Sequence, residues 1–207
     1  MTSQHPVVFI VDDEPAVRDS LALLLGQEGV RVQTFENAES FLSAYQPDYI
    51  GCIILDVRMP GIDGLQLQEK LSQCNCIMPI IFLTGHGDIP TSVRAIKTGA
   101  TDFLTKPITR AKLLAAIQSA FLENEKLIEA NKHNKDALTR LASLTKRERE
   151  VMMLAIQGYH NKEIASRLGI SFRTVEIHRS NIMHKMGAIN LLDLARIAYE
   201  SGLSTEI

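Results

Sequence analysis

Three carboxylates follow two apolar runs: Asp12 and Asp13 close Val7-Val8-Phe9-Ile10-Val11, and Asp56 closes residues 50–55, which hold Ile53-Ile54-Leu55. Carboxylates at the C-terminal ends of buried parallel strands are where doubly wound α/β sheets build their sites. Magnesium takes an octahedral oxygen shell, keeps several waters, and is held by one or two carboxylates with phosphate oxygens. Asp12, Asp13 and Asp56 therefore form a candidate cup for Mg²⁺ (or Mn²⁺). A carboxylate beside such an ion can itself be the nucleophile of phosphoryl transfer, through an aspartyl phosphate. That reaction calls for a fixed donor and a cation near the developing charge. Thr84, after the apolar run 80–83, and Lys106, after Phe103-Leu104-Thr105, offer both from the same rim. Lys106-Pro107 is a candidate cis peptide that would aim the lysine inward.

Each residue also has a plainer use. Asp-Asp ahead of a helix can be only a cap, Thr84 only a turn residue, and Phe103 only core. The joint arrangement, at several strand ends in its expected context, is what carries the reading. A phosphatase with an aspartate nucleophile is the competing enzyme; such enzymes usually place a second aspartate two residues on, and this chain has Arg58 there.

The elements that must position these groups follow from periodicity. Residues 7–11, 31–35, 50–55, 79–83 and 102–104 read as strands, and between them lie helical patterns such as Leu21, Leu24, Leu25 and Leu65, Leu67, Leu71. Alternation of this kind implies a doubly wound α/β fold, a five-stranded parallel sheet with helices on both faces. Residues 1–122 are expected to form this flavodoxin-like domain. Neither Gly nor Pro occurs between Pro107 and Gly158, so its last helix can run on. Residues 123–142 are expected to form a helical linker, within which the polar stretch Asn131-Lys132-His133-Asn134-Lys135-Asp136 favours a loosened segment over a seamed coil.

Residues 143–207 read as a small all-α domain. Thr145-x-x-Glu148 is a capping box, Gly158 ends that helix, Asn161 can cap 162–168, Gly169 stops it, and Ser171 caps the next. Val175, Ile182 and Met186 fall at core spacing, and Asn190 opens a final helix. Two helices joined across Gly169-Ile170-Ser171 have the outline of a helix-turn-helix.

Composition bounds the rest. The 207 residues are 45% apolar and 22% charged, ordinary for a globular protein of two modest domains. Residues 1–122 hold 9 Lys+Arg against 13 Asp+Glu, while 143–207 hold 9 against 7, so the two ends seek different partners. Cys52, Cys74 and Cys76 lack the spacing of a redox or zinc pair and read as reduced thiols. With no signal peptide and no apolar run of spanning length, the expectation is a cytoplasmic protein without membrane contact.

Residues 5–122 resemble the receiver domain of two-component response regulators, through Val11-Asp12-Asp13-Glu14, Leu55-Asp56-Val57-Arg58-Met59-Pro60-Gly61, Thr84-Gly85-His86-Gly87-Asp88 and Phe103-Leu104-Thr105-Lys106-Pro107. The resemblance implies that Asp12 and Asp13 bind Mg²⁺ with Asp56, that Asp56 accepts phosphate from a sensor histidine kinase, and that Thr84 and Lys106 contact the phosphoryl group. Thr84 and Phe103 match its switch pair, and Arg58 and His86 its residues that tune dephosphorylation. It further implies a dimer surface around Val93, Ile96, Lys97 and Asp102, used when the protein is phosphorylated.

Residues 143–207 resemble the LuxR-type helix-turn-helix effector, through Leu144-Thr145-Lys146-Arg147-Glu148-Arg149-Glu150-Val151, Asn161-Lys162-Glu163-Ile164-Ala165 and the run from Ser171-Phe172-Arg173-Thr174 to Asn181-Ile182. Together the two halves resemble the FixJ-like transcription regulators. A recognition helix puts its early residues at base edges while flanking cations hold phosphates. Glu176, Ile177 and Ser180 are the expected base readers, and Arg173, Thr174, Arg179, Lys185 and Lys162 the phosphate contacts. His178 is read as a packed, hydrogen-bonded residue. The partners implied are double-stranded DNA with a palindromic operator, RNA polymerase and a second copy of the chain. The other reading is a phosphorylation-dependent interaction module whose tail binds a protein or RNA.

If Asp56 is the acceptor, an Asp56→Asn chain incubated with a small phosphoryl donor and Mg²⁺ should gain no phosphate by intact mass. Uptake equal to wild type would refute the assignment.

Overall fold

The computed structural model describes residues 5–85 and 95–200. Strands β1 (Val7–Val11), β2 (Arg31–Phe35), β3 (Gly51–Leu55), β4 (Ile80–Thr84) and β5 (Asp102–Thr105) form one parallel sheet in the order β2-β1-β3-β4-β5. The doubly wound fold expected from the sequence is the one observed. Side chains alternate across each strand. Phe9, Val11, Ile53, Leu55, Ile80 and Phe82 therefore bury on one face against α2 (Ala38–Ala44) and α3 (Gly64–Gln73). Val8, Ile10, Cys52, Ile54, Ile81 and Leu83 bury on the other, against α1 (Pro15–Gln27) and the long helix α4 (Arg110–Ala142).

Strand ends move by one residue from the sequence reading: β3 begins at Gly51, and β4 spans Ile80–Thr84 rather than 79–83. Pro79 has no N–H to give the ladder; its carbonyl instead accepts from Ile53 N–H at 2.9 Å. Thr84 is thereby the last residue of the strand and pairs with Thr105. Burial pushes the Cys52 thiol up to about 12.

The chain divides into two compact units, Met1–Ile128 and Glu129–Ile207, so each holds part of α4. Residues 131–136, expected to loosen, are helical. The buried positions Ile117 and Ala120 on one side of them and Ala137 on the other give the helix tertiary support that composition does not reveal.

The second unit packs α5 (Lys146–Ile156), α6 (Asn161–Leu168), α7 (Phe172–Met186) and α8 (Leu191–Glu200) around Val151, Ile164, Val175, Ile182, Met186 and Leu194. The expected capping box is present: Thr145 Oγ1 accepts from Glu148 N–H, and Glu148 accepts from Thr145 N–H. Gly169 takes the left-handed conformation (φ 64°) that a helix-ending turn needs, and Ser171 Oγ accepts from Thr174 N–H at 3.0 Å. Helix α6 starts one residue earlier than expected. His160 is its N-cap, its N–H satisfied by Glu163 at 2.7 Å, which frees the Asn161 side chain for another partner.

Two glycines separate space from conformation. A Cβ on Gly64, at the start of α3, would strike the Asp56 carbonyl oxygen and lie 3.1 Å from the Phe82 ring, whereas one on Gly26, in α1, would meet nothing within 4 Å. In urea unfolding, Gly64→Ala should destabilise by about 1–3 kcal/mol as overpacking does, and Gly26→Ala should stabilise by about 0.5–1 kcal/mol.

Candidate functional site

The register of the central strands assembles the acids. Val11 lies opposite Leu55, and Asp56 N–H donates to the Val11 carbonyl at 2.9 Å, so the residues that follow each strand, Asp12 and Asp56, leave the sheet side by side. Lys106 N–H donates to the Thr84 carbonyl at 2.8 Å, which brings the end of β5 to the same edge. Asp12 is 2% exposed, Asp56 6% and Thr84 1%.

Among the described residues, Lys106 is the cation whose side chain reaches both acids. Its Nζ lies 2.7 Å from Asp12 Oδ2, 3.3 Å from Asp56 Oδ2 and 3.5 Å from Glu14 Oε1, and the Lys106-Pro107 peptide is cis. Burial raises the Asp12 carboxyl above its ordinary range, against the opposing pull of the Lys106 ammonium and the Glu14 N–H. Burial alone would lower the Lys106 ammonium, but its hydrogen bond to Asp12 and the charges of Asp12 and Asp56 outweigh it, and the net shift is upward.

Asp12, Asp13 and Asp56 each offer a carboxylate oxygen, all within 4.8 Å of one another, a donor set that fits a hard divalent cation. Arg58 N–H approaches Asp56 Oδ1 at 3.4 Å while its side chain is exposed. Phe103 is half-buried, its ring centroid 6.1 Å from that of Phe82. Ile96 and Lys97 are exposed, and Asp102 accepts from Phe103 N–H at 2.8 Å. His86 and Val93 lie outside the described residues.

Sequence reasoning missed Arg18, whose guanidinium donates to the Asp12 carbonyl at 2.6 Å. Its signal was position: an arginine one turn into the helix that the acids introduce.

In the second unit α6, the Gly169 turn and α7 make a helix-turn-helix. Val175, Ile182 and Met186 are buried as expected. Lys162, Arg173, Ile177 and Ser180 are exposed, Ile177 by 50%, while Thr174, Glu176, Arg179 and Lys185 are half-buried. Several of the expected DNA contacts are already bonded. Arg173 pairs with Glu176 at 3.2 Å, Thr174 Oγ1 shares a hydrogen bond with Ser171, and Arg179 donates to Asn161 Oδ1 at 2.9 Å. Lys185 Nζ sits 2.7 Å from Glu148 Oε2. His178 is half-buried, and its buried Nδ1 has no hydrogen-bond partner among the described residues.

An acidic pocket at the carboxyl edge of a five-stranded parallel sheet, followed by a helix-turn-helix unit, defines a response regulator with a DNA-binding output. Residues 8–118 match the response regulator receiver domain, and residues 142–198 match the bacterial regulatory proteins of the luxR family. The chain belongs to the response regulators that join these two domains, and within them it is a phosphorylation-dependent transcription regulator similar to FixJ. It is 42% identical over 196 residues to the transcriptional regulatory protein FixJ of Bradyrhizobium diazoefficiens, covering 95% of this chain and 96% of that one. It is 44% identical over 201 residues to the response regulator protein TmoT of Ectopseudomonas mendocina, covering 95% and 90%. Among solved structures, response regulator StyR aligns with a TM-score of 0.82 at 42% identity, covering 95% of this chain and 99% of that one. Full-length FixJ from B. japonicum aligns at 0.59 and 42%, covering 97% and 98%. Among the described residues no helix is long and apolar enough to cross a membrane.

Glu148 supplies a pH test of the second unit. It is 3% exposed, and the hydrogen bond from Lys185 holds its carboxyl below the usual range. A depressed folded value means the stabilisation is complete above the unfolded glutamate value, about 4.3, and is lost as pH falls through the folded value. Lys185→Met should cost about 1–3 kcal/mol at pH 7, for a buried carboxylate left short of a partner. In thermal unfolding the difference from wild type should hold from pH 7 down to about 4.3 and shrink only below that, as pH falls through the depressed folded value; a difference that stays constant below about 4.3 would rule the ion pair out as its source.

Proposed function

We propose that Asp56 is the phosphoacceptor, taking a phosphoryl group from the phosphohistidine of a sensor histidine kinase, and that the phosphorylated chain dimerises on a palindromic operator to control RNA polymerase in the cytoplasm. The observation that carries this reading is Lys106 Nζ held between the Asp12 and Asp56 carboxylates at the end of the parallel sheet. In transfer, an Asp56 carboxylate oxygen attacks phosphorus and the P–N bond to the donor histidine breaks, its electron pair remaining on the imidazole. Asp12 and Asp13, with Asp56, would hold Mg²⁺ or Mn²⁺, which supplies charge neutralisation at the phosphoryl oxygens.

The chain's own groups do the rest. Lys106 exchanges carboxylate partners for a phosphoryl oxygen, and the buried Thr84 hydroxyl donates to another. Phosphorylation adds about −1.5 to −2 charges and three acceptor oxygens. The draw of Thr84 towards them opens space that Phe103 fills, which reshapes the surface around Ile96, Lys97 and Asp102, with Val93, into a dimer contact. Arg58 and His86 tune the hydrolysis that returns the acceptor to its carboxylate. Beyond this self-directed phosphate chemistry the chain turns over no external substrate.

On DNA, the exposed Ile177 and Ser180 with Glu176 face base edges in the major groove, Ile177 suiting a thymine methyl and Glu176 a cytosine N4 amine. Arg173, Thr174, Arg179 and Lys162 hold phosphates. Lys185 reaches a phosphate only by giving up Glu148, so it contributes least. Two copies present two such helices to half-sites related by the same twofold axis as the protein.

The test is capture of genomic DNA fragments by the purified chain, with and without Mg²⁺ and acetyl phosphate, beside Asp56→Asn. Donor-dependent enrichment of a palindromic sequence, absent in the variant, is expected; enrichment indifferent to donor and to Asp56 would overturn the switch.

A further inference from the structure

The buried stripe by which α4 packs on the sheet runs Leu113, Ile117, Ala120 and then Asn124. Helical spacing calls for a fourth apolar residue there, yet the position holds an amide that is 1% exposed. Both ends of that amide are used. Asn124 Oδ1 accepts from Gly51 N–H, at the first residue of β3, at 3.0 Å. Asn124 Nδ2 donates to the Ile77 carbonyl, ahead of β4, at 3.2 Å. An apolar side chain could pack equally well a little further along or around the helix. An amide that must put its oxygen on one backbone donor and its nitrogen on another backbone acceptor fits in one register only, and buried polar groups are well suited to this kind of specification.

Its place in the chain gives that register a use. Beyond Asn124, residues 125–136 are exposed apart from the half-buried Ile128, and burial resumes at Ala137. Asn124 is thus the last fully buried contact α4 makes within the first unit. It lies past residue 118, where the match to the receiver domain ends. It also binds the start of the strand whose end carries Asp56: β3 is five residues long, so the two are joined by one continuous strand of the sheet.

We propose that Asn124 is a positioning residue for signal output: it fixes the register at which the long helix leaves the receiver, and this fixed departure couples phosphorylation at Asp56 to DNA binding. The coupling part rests on the switch proposed above; the anchoring part does not.

The test uses the full-length chain, as wild type and as Asn124→Leu, which keeps the size and apolar packing but orphans Gly51 N–H and the Ile77 carbonyl. Asn124→Asp is the companion, since its carboxylate keeps the bond from Gly51 and loses the donor to Ile77. Phosphate uptake from acetyl phosphate, read by intact mass, should stay within about twofold of wild type, because Asn124 and Asp56 serve opposite ends of β3. Amide exchange of residues 119–128 should quicken by about tenfold, as loss of a buried hydrogen-bonding pair implies. The donor-dependent gain in affinity for the fragments captured by wild type, about 5–150-fold for a coupled system, should fall towards one in both variants. A gain equal to wild type overturns the coupling, and unchanged amide exchange overturns the anchor. Wild-type binding indifferent to the donor refutes the switch and the coupling with it, and leaves the anchor to be judged by exchange alone.

Discussion

Two buried carboxylates side by side repel each other, and the parallel register of β1 and β3 leaves them no other arrangement. Val11 opposite Leu55 places Asp12 next to Asp56, and water is largely excluded from both. Lys106 relieves that repulsion, reaching from β5 to both acids at once. The sheet order follows the same need: with β1 and β3 central and β4 leading to β5, the acids, the threonine and the lysine converge on one edge. The strain of like charges and its relief by one cation make the edge responsive, since a phosphoryl group or a divalent ion alters the balance on which Lys106 sits.

The second unit manages its buried charge differently. Glu148 is closed off by Lys185, Thr145 N–H and Thr145 Oγ1, so one side chain caps α5 and ties it to α7. Arg179 does similar work between α7 and the first residue of α6. The helix-turn-helix is therefore held by polar bonds as well as by its core, and cations that look available in the sequence are partly engaged in the free protein.

The fold was legible because its signals are periodic: alternating apolar residues in the strands, three- and four-residue spacing in the helices, Thr145-x-x-Glu148 and Gly169 at helix ends. The acidic pocket was legible because Asp12, Asp13, Asp56, Thr84 and Lys106 stand at strand termini, where position in the chain fixes position in space. What escaped notice were polar bonds without periodicity: the local one from Arg18 to the Asp12 carbonyl, and the long-range ones from Lys185 to Glu148, from Gln68 to the Ala95 carbonyl, and between Asn124 and the backbone of Gly51 and Ile77. Asn124 looks like any polar residue near a linker until the sheet is in place. The polar stretch 131–136 misled for the related reason that a helix supported at both flanks does not need a favourable composition in between.

Cys52 has a chemical consequence of its own. It lies fully buried in the middle strand of the sheet, its thiol pushed up to about 12, whereas Cys74 is exposed at the end of α3. Thiol chemistry proceeds through the thiolate, so Cys52 is silent towards electrophiles while the sheet is closed, and Cys74 is open to solvent throughout. The protein thus carries its own clock: the modification of Cys52 keeps time with the opening of its central strand.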